Sequence, residues 1–219
     1  MNVVEDLLEF MQTSAWSTAY SRVANMVSAS YRDEKSLIRG YEAVAPFAVL
    51  SCLRENHHEI NREFARFLLE QIEKPIVVDY GCGSAPISME VALMEPEAMV
   101  YLVDVDCIAL DFTAFRFAKA NLNHEVIRVT EETIYPPLPL HDVCIAAEVF
   151  EHLRDPIRAY RNILTALDKN GILLGCFDDH RPGGFHVTPN LKDIRLQVEK
   201  DFMKLPDERA QRLFYRRRP

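Results

Sequence analysis

The sequence predicts an α/β protein with a mostly parallel sheet of about seven strands and helices in front of it. From residue 76 onwards, short β-branched runs alternate with segments whose apolar residues recur at helical spacing, whereas residues 1–74 show helical patterns alone. Alternating strands and helices are typical of parallel sheets with helices on both faces. A chain of 219 residues that is 48% hydrophobic can bury one sizeable core. We therefore expect a helical cap over 1–74 and an α/β domain over 75–219.

The predicted cap consists of amphipathic helices. Three apolar stripes at helical spacing indicate them. Their members are Val4, Leu7, Leu8 and Met11, then Trp16, Tyr20, Val23 and Val27, and then Ile60, Phe64, Phe67 and Leu68. A further short helix is expected to start near Pro46, because proline suits a first helical turn.

The predicted sheet elements follow from runs of β-branched residues and from helix-capping residues. Strands are expected over 76–80, 99–104, 126–129, 143–147 and 172–177, with two closing strands near 201–205 and 212–217. Helices are expected over 86–94, 107–121, 156–167 and 189–200. The third of these opens on Asp155 and Pro156, a capping residue followed by a first-turn proline.

The turn after the first strand indicates a nucleotide-type cofactor. The strand contains Asp79 near its end, Gly81 and Gly83 allow close approach of a ligand, and the next helix directs free N–H groups towards it. Pro86 replaces the last glycine of the dinucleotide pattern, and no Lys-Ser/Thr pair follows as in a P-loop. A cofactor without phosphate fits this turn better.

Four segments in family order resemble the class I S-adenosylmethionine (SAM)-dependent methyltransferases, in their type 11/12-like small-molecule branch. They are residues 77–83, 101–106, 141–156 and 164–174. The third glycine of the family motif falls at Ala85. The resemblance covers roughly residues 75–177 and implies a Rossmann-like sheet with SAM as the cofactor.

The resemblance also implies which residues hold SAM. The turn would lie under the methionine part with Asp79 beneath it, Asp104 would bind the ribose hydroxyls, and Glu131 would contact the adenine. Asp106 either shares the ribose or caps the next helix. The implied cofactor-binding set is Asp79, Gly81, Cys82, Gly83, Asp104, Val105, Glu131 and Ala147.

The candidate catalytic residues are Glu148 and His152, near the carboxyl end of the fourth strand. Glu148 is a candidate base, acceptor-orienting group or partner of the sulfonium charge, or else it binds loop backbone. His152 is either a base or structural. Tyr20, Tyr31 and His180 are the substrate candidates. No metal is expected, because residues 178–186 also describe a plain polar turn.

Composition narrows the class of acceptor. A formal net charge of -8 argues against a broad phosphate-binding surface, so no nucleic-acid partner is expected. The chain has no apolar run of about 18 residues, and its cysteines lack Cys-x-x-Cys spacing, so a cytoplasmic protein without a membrane partner is expected.

The predicted function is methyl transfer from SAM to a small metabolite. The acceptor atom is an oxygen, a nitrogen or a carbon. One alternative is a cyclase or lyase of the same fold that releases methylthioadenosine from SAM. The other is a non-catalytic SAM-binding partner protein.

Overall fold

A seven-stranded sheet organises the chain in this computed structural model. The structure describes residues 3–11, 13–14, 16, 33–55, 59–179, 186–205 and 214–218. The helices in these ranges are α1 (Val3–Met11), α2 (Glu34–Glu55), α3 (Glu59–Gln71), α4 (Pro86–Met94), α5 (Ile108–Lys119), α6 (Pro156–Ala166) and α7 (Lys192–Asp201). The strands are β1 (Ile76–Tyr80), β2 (Met99–Val105), β3 (His124–Val129), β4 (His141–Ala146), β5 (Leu167–Gly175), β6 (Phe202–Lys204) and β7 (Phe214–Arg217). A 3-10 turn covers Phe150–His152.

The strand order creates a ligand-binding edge beside β1. The sheet runs β3-β2-β1-β4-β5-β7-β6; β1 to β5 are parallel, and β7 lies antiparallel to both β5 and β6. The chain moves from β1 outwards to β3 and then returns to the other side of β1 with β4. Open α/β sheets bind ligands at the carboxyl ends of the strands where the order reverses. The predicted fold class is confirmed, and it places this edge at β1 and β4.

The core lies on both faces of the sheet. Successive β1 residues point to opposite sides, so Val77 packs in a cluster with Leu68 and Phe117, while Val78 packs in another with Ile163. Burial on both faces explains why the strands read as continuous apolar runs rather than as alternating ones. None of the helices in the described ranges is long and apolar enough to cross a lipid bilayer.

The predicted short helix near Pro46 is wrong, because α2 continues from Glu34 through Pro46 to Glu55. Proline in a helix interior removes one backbone hydrogen bond and costs about 3 kcal/mol. Burial of apolar side chains offsets this cost, since Ala45 and Val49 pack on Phe112 of α5. Tertiary packing therefore overrides the local signal.

Three strands begin earlier than their apolar runs predicted. β3 starts at His124, β4 starts at His141, and β5 starts at Leu167, directly after α6. The added part of β5 contains Asp168, Lys169 and Asn170, all exposed. Because these residues carry no hydrophobic pattern, sequence periodicity could not mark them as a strand.

Candidate functional site

The turn after β1 is held against the ends of β2 and β4. Gly81 and Gly83 have φ angles of 70° and 50°, in the left-handed region that favours glycine. The N–H groups of Gly81 and Cys82 both donate to the Val103 carbonyl, at 2.7 and 3.1 Å. A Cβ atom at Gly81 would lie 2.7 Å from Cγ2 of Val149. Both the backbone angle and the packing therefore require glycine at position 81.

Ala85, at the position of the motif's third glycine, also has a left-handed backbone, with φ 50° and ψ 48°. This conformation costs about 1–2 kcal/mol for a residue with a side chain. The Ala85 methyl group is fully buried in the core on that face of the sheet, which offsets part of the cost. Alanine is therefore accommodated in this left-handed conformation.

Asp104 connects the end of β2 to this turn. Its two carboxylate oxygens accept hydrogen bonds from the Gly83 N–H and the Val105 N–H, each at 2.7 Å. Loss of solvent around Asp104 raises its pKa, although these two hydrogen bonds act in the opposite direction. A carboxylate oxygen has more than one lone pair, so Asp104 can hold the turn and still accept from a ligand hydroxyl.

Asp79 and Cys82 lie behind the turn. The Asp79 carboxyl is buried and accepts a hydrogen bond from the Ser88 hydroxyl, and burial raises the pKa of Asp79 to about 7. Burial likewise raises the pKa of the Cys82 thiol. Neither residue is among those that line the neighbouring cavity. In the described structure they support the turn from the core side.

A cavity of about 280 Å³ opens at the carboxyl ends of β1, β2 and β4. Six of the residues predicted for cofactor binding or catalysis line it, namely Gly81, Gly83, Asp104, Val105, Glu148 and His152. A Cβ atom at Gly83 would meet no atom within 4 Å, so this glycine faces open space. The cavity therefore lies where the strand order and the turn both place a ligand.

Helix α2 covers one side of the cavity with the apolar residues Leu37, Ile38 and Tyr41. The sequence pattern does not indicate these residues as part of the site, because their helical spacing is equally typical of a core-facing helix. The Tyr135 hydroxyl donates to the Glu34 carboxylate of α2 at 2.5 Å. This contact holds the helix against the segment that follows β3.

Glu131 forms an ion pair with Arg39 of α2, with Nε and Oε1 2.8 Å apart. It does not belong to the cavity-lining residues, whereas its neighbours Ile134 and Tyr135 do. The adenine contact assigned to Glu131 stays a prediction. It requires the carboxylate to bind the ligand beside Arg39 or to release Arg39.

Glu148 follows β4 in a left-handed conformation with φ 54°. This backbone region costs a non-glycine residue free energy and is common at functional sites. Glu148 is exposed, and it is one of the residues that line the cavity. Ala147, just before it, is partly buried and does not line the cavity. The strand end thus directs one carboxylate towards a ligand.

His152 lies beside two groups that sequence analysis did not assign. Its Nε2 is 3.7 Å from Oε1 of Glu151, and its ring centroid is 5.1 Å from that of His186. Glu151 is fully buried, and burial raises its pKa to about 7, with the neighbouring Glu148 acting in the same direction. His186 is distant in sequence, so no local pattern could have linked it to this position.

Four further predictions concern Tyr20, Tyr31, His180 and Asp106. Tyr20, Tyr31 and His180 fall outside the residues that the structure describes. Asp106 is exposed and pairs with Arg128 at 2.5 Å. Cys107, rather than Asp106, is the N-cap residue of α5, and its side chain makes no capping hydrogen bond.

Comparison with known proteins gives one family match that covers more than half of the chain. The family described as "Methyltransferase domain" matches residues 73–204. A curated relative, ribosomal RNA small subunit methyltransferase C of Acinetobacter baylyi, is 30% identical over 79 residues. That alignment spans 36% of this chain and 23% of the relative.

Solved structures share the fold at low sequence identity. The [4+2]-cyclase SpnF has a TM-score of 0.59 at 17% identity, over 82% of this chain and 76% of SpnF. A Burkholderia thailandensis 1,6-didemethyltoxoflavin-N1-methyltransferase, solved with S-adenosylhomocysteine, has a TM-score of 0.55 at 13% identity, over 82% of this chain and 90% of its own. The mitomycin 7-O-methyltransferase MmcR has a TM-score of 0.55 at 16% identity, over 99% of this chain and 72% of its own. At these identities the likeness concerns the fold.

Proposed function

The chain belongs to the SAM-dependent methyltransferase-domain family, and from this premise we propose that it transfers the SAM methyl group to a small-molecule acceptor in the cavity beside β1 and β4. One observation carries the proposal. Asp104, Gly83 and Val105 meet on the cavity wall, with the Asp104 carboxylate hydrogen-bonded to the backbone of the other two. An acid at the end of β2 beside a glycine turn is suited to bind ribose hydroxyls.

The described residues fit SAM. Gly83 faces open space, so a ligand can lie directly on the turn backbone. Val105, Val129 and Ile134 form an apolar wall near Asp104 that suits a flat aromatic base. When bound, SAM supplies an electrophilic methyl group activated by the adjacent sulfonium. The protein then has to bind and orient the acceptor and exclude water.

A small acceptor is favoured by the cover and by the charge of the chain. Leu37, Ile38 and Tyr41 of α2 line one side of the cavity, which supports the proposal that the N-terminal segment acts as a substrate lid. The net charge of -8 opposes broad contact with a nucleic-acid backbone. The alignment with the ribosomal RNA methyltransferase covers too little of that protein to carry its substrate over.

Product analysis tests the proposed reaction. We expect S-adenosylhomocysteine to accumulate when the protein is incubated with SAM and a panel of small hydroxyl, amine and carbon acceptors, and not with SAM alone. Mass spectrometry of both mixtures identifies the products. Methylthioadenosine formed without an acceptor would show that the protein cleaves or cyclises SAM instead. Tight SAM binding without turnover on any acceptor would indicate the non-catalytic alternative.

Glu148 is the proposed acceptor-facing residue, as a base, an orienting acceptor or a partner of developing charge. We expect Glu148→Gln to lower the single-turnover rate about tenfold and to leave the affinity for SAM within about twofold, because the reaction rather than cofactor binding would use the charge. Rapid-quench kinetics and calorimetry on the same variant measure both quantities. A wild-type single-turnover rate would contradict the catalytic role. A fall in both melting temperature and SAM affinity, with the rate of the bound enzyme kept, would assign Glu148 a structural role.

A further inference from the structure

A cluster of potential metal ligands borders the cavity on the side of β4. Its members are Glu151, His152 and His186, and one ligand atom from each lies within 4.8 Å of the other two. Glu151 is fully buried, and the side chain of His152 is 26% exposed and lines the cavity. Small rotamer changes bring atoms at this separation to a common cation, since such ligands lie about 2.0–2.2 Å from zinc.

The fold holds the two parts of this cluster together. Thr188 anchors the segment after His186 to the 3-10 turn, because its N–H donates to the Glu151 carbonyl at 2.9 Å and its hydroxyl donates to the Leu153 carbonyl at 2.6 Å. The Tyr41 ring of α2 packs edge-on against His152, with the centroids 6.0 Å apart. The imidazoles are thus placed by backbone hydrogen bonds and by packing.

The donor types also suit a cation. The Glu151 carboxylate is fully buried, and its Oε1 lies 3.7 Å from Nε2 of His152. Imidazole nitrogens and carboxylate oxygens are ligands that transition-metal ions bind in proteins.

We propose that Glu151, His152 and His186 bind a divalent transition-metal ion at the edge of the cavity. Two imidazoles and one carboxylate suit Zn²⁺ and related ions, whereas Mg²⁺ prefers an all-oxygen set. Three protein ligands leave coordination positions for a further ligand, and His152 places those positions beside the cavity. This departs from the expectation that the protein has no metal.

The site implies a class of acceptor, and this part rests on the proposed function. A metal ion with open positions binds hard oxygen atoms and favours the ionised form of a bound hydroxyl. The implied acceptor is a small molecule that carries a hydroxyl or carboxylate oxygen near the atom to be methylated. The cation would orient it against the wall that contains Glu148.

Zinc binding tests the site without SAM or acceptor. The full chain is treated with a chelator, dialysed and titrated with Zn²⁺ by calorimetry, and Co²⁺ serves as a visible absorption probe of the coordination. We expect one tight equivalent of Zn²⁺, with affinity reduced at least about tenfold in His186→Ala and in Glu151→Gln. His124→Ala is the matched control, because His124 lies on β3 with Nδ1 2.9 Å from the Leu122 carbonyl oxygen. The control should bind Zn²⁺ as the wild type does.

The site proposal is overturned if wild-type protein binds no stoichiometric Zn²⁺, or if both site variants bind it as tightly as the control. Melting temperatures of all variants establish that they are folded, and Glu151→Gln keeps the size of the buried side chain. Calorimetry with S-adenosylhomocysteine separates the two proposals. Zinc binding without S-adenosylhomocysteine binding would contradict the proposed function, and the reverse result would contradict the metal site alone.

Discussion

Replacement of Asp104 by alanine is expected to weaken binding of S-adenosylhomocysteine by about 1.5–3 kcal/mol, the range for losing a charge-assisted hydrogen bond. The structure adds a second reason for a loss. The Asp104 carboxylate also holds the turn backbone through the Gly83 N–H at 2.7 Å. Without it, both the ribose acceptor and the position of the turn are lost. Titration calorimetry measures the change in affinity.

Asp106→Ala is the matched control for this experiment. It removes the same side chain two residues further on, from an exposed position paired with Arg128 and away from the cavity wall. Its affinity for S-adenosylhomocysteine should equal that of the wild type. Equal affinities in the Asp104 variant and the wild type, with both proteins folded, would contradict the assignment. A loss in the Asp106 variant alone would transfer the role to that residue.

Gly81→Ala is expected to lower the free energy of unfolding by about 2–5 kcal/mol. A left-handed backbone costs alanine about 1–2 kcal/mol, and overpacking a filled site costs about 1–3 kcal/mol more. The overlap arises because the new Cβ would lie 2.7 Å from Cγ2 of Val149. Chemical denaturation followed by circular dichroism measures the loss.

The Gly83→Ala variant separates the backbone cost from the overpacking cost that are combined at position 81. Gly83 also has a positive φ, but a Cβ there meets no atom within 4 Å. The free energy of unfolding of Gly83→Ala should fall by the backbone cost alone, about 1–2 kcal/mol. The new methyl group should enter the cavity and weaken SAM binding. A double variant, Gly81→Ala with Val149→Ala, should show favourable coupling because the overlap is removed. Equal losses of stability in the two glycine variants, or the absence of coupling, would show that overlap with Val149 does not destabilise Gly81→Ala.

The order of the elements and the cofactor turn could be predicted because their signals are local. Local preferences account for each of these features. They favour a strand for the β-branched residues of β1, a turn for the two glycines after it, and an acid such as Asp104 at the end of β2. The parallel arrangement follows from alternating strands and helices, which can close in few ways. Such features survive in any packing of this chain into an α/β fold.

Contacts between distant residues could not be predicted in the same way. Arg39 and Glu131 are 92 positions apart in sequence, and Glu34 and Tyr135 are 101 apart, yet each pair connects α2 to the segment after β3. The continuation of α2 through Pro46 likewise depends on what the helix packs against. These outcomes depend on how distant segments pack together. The periodicity of a single sequence reports only local patterns and carries no information about such packing.

The sequence by itself determined the strand–helix order, the glycine turn and the acid at the end of β2, because short-range backbone preferences and hydrophobic periodicity specify them. The tertiary structure alone decided which residues face the cavity. It turned Asp79 and Cys82 towards the core, brought α2 over the cavity, and placed His186 beside Glu151 and His152. The physical reason is that a side chain's neighbours across the fold are set by how helices and loops dock on the sheet, and that docking minimises exposed apolar area for the whole chain.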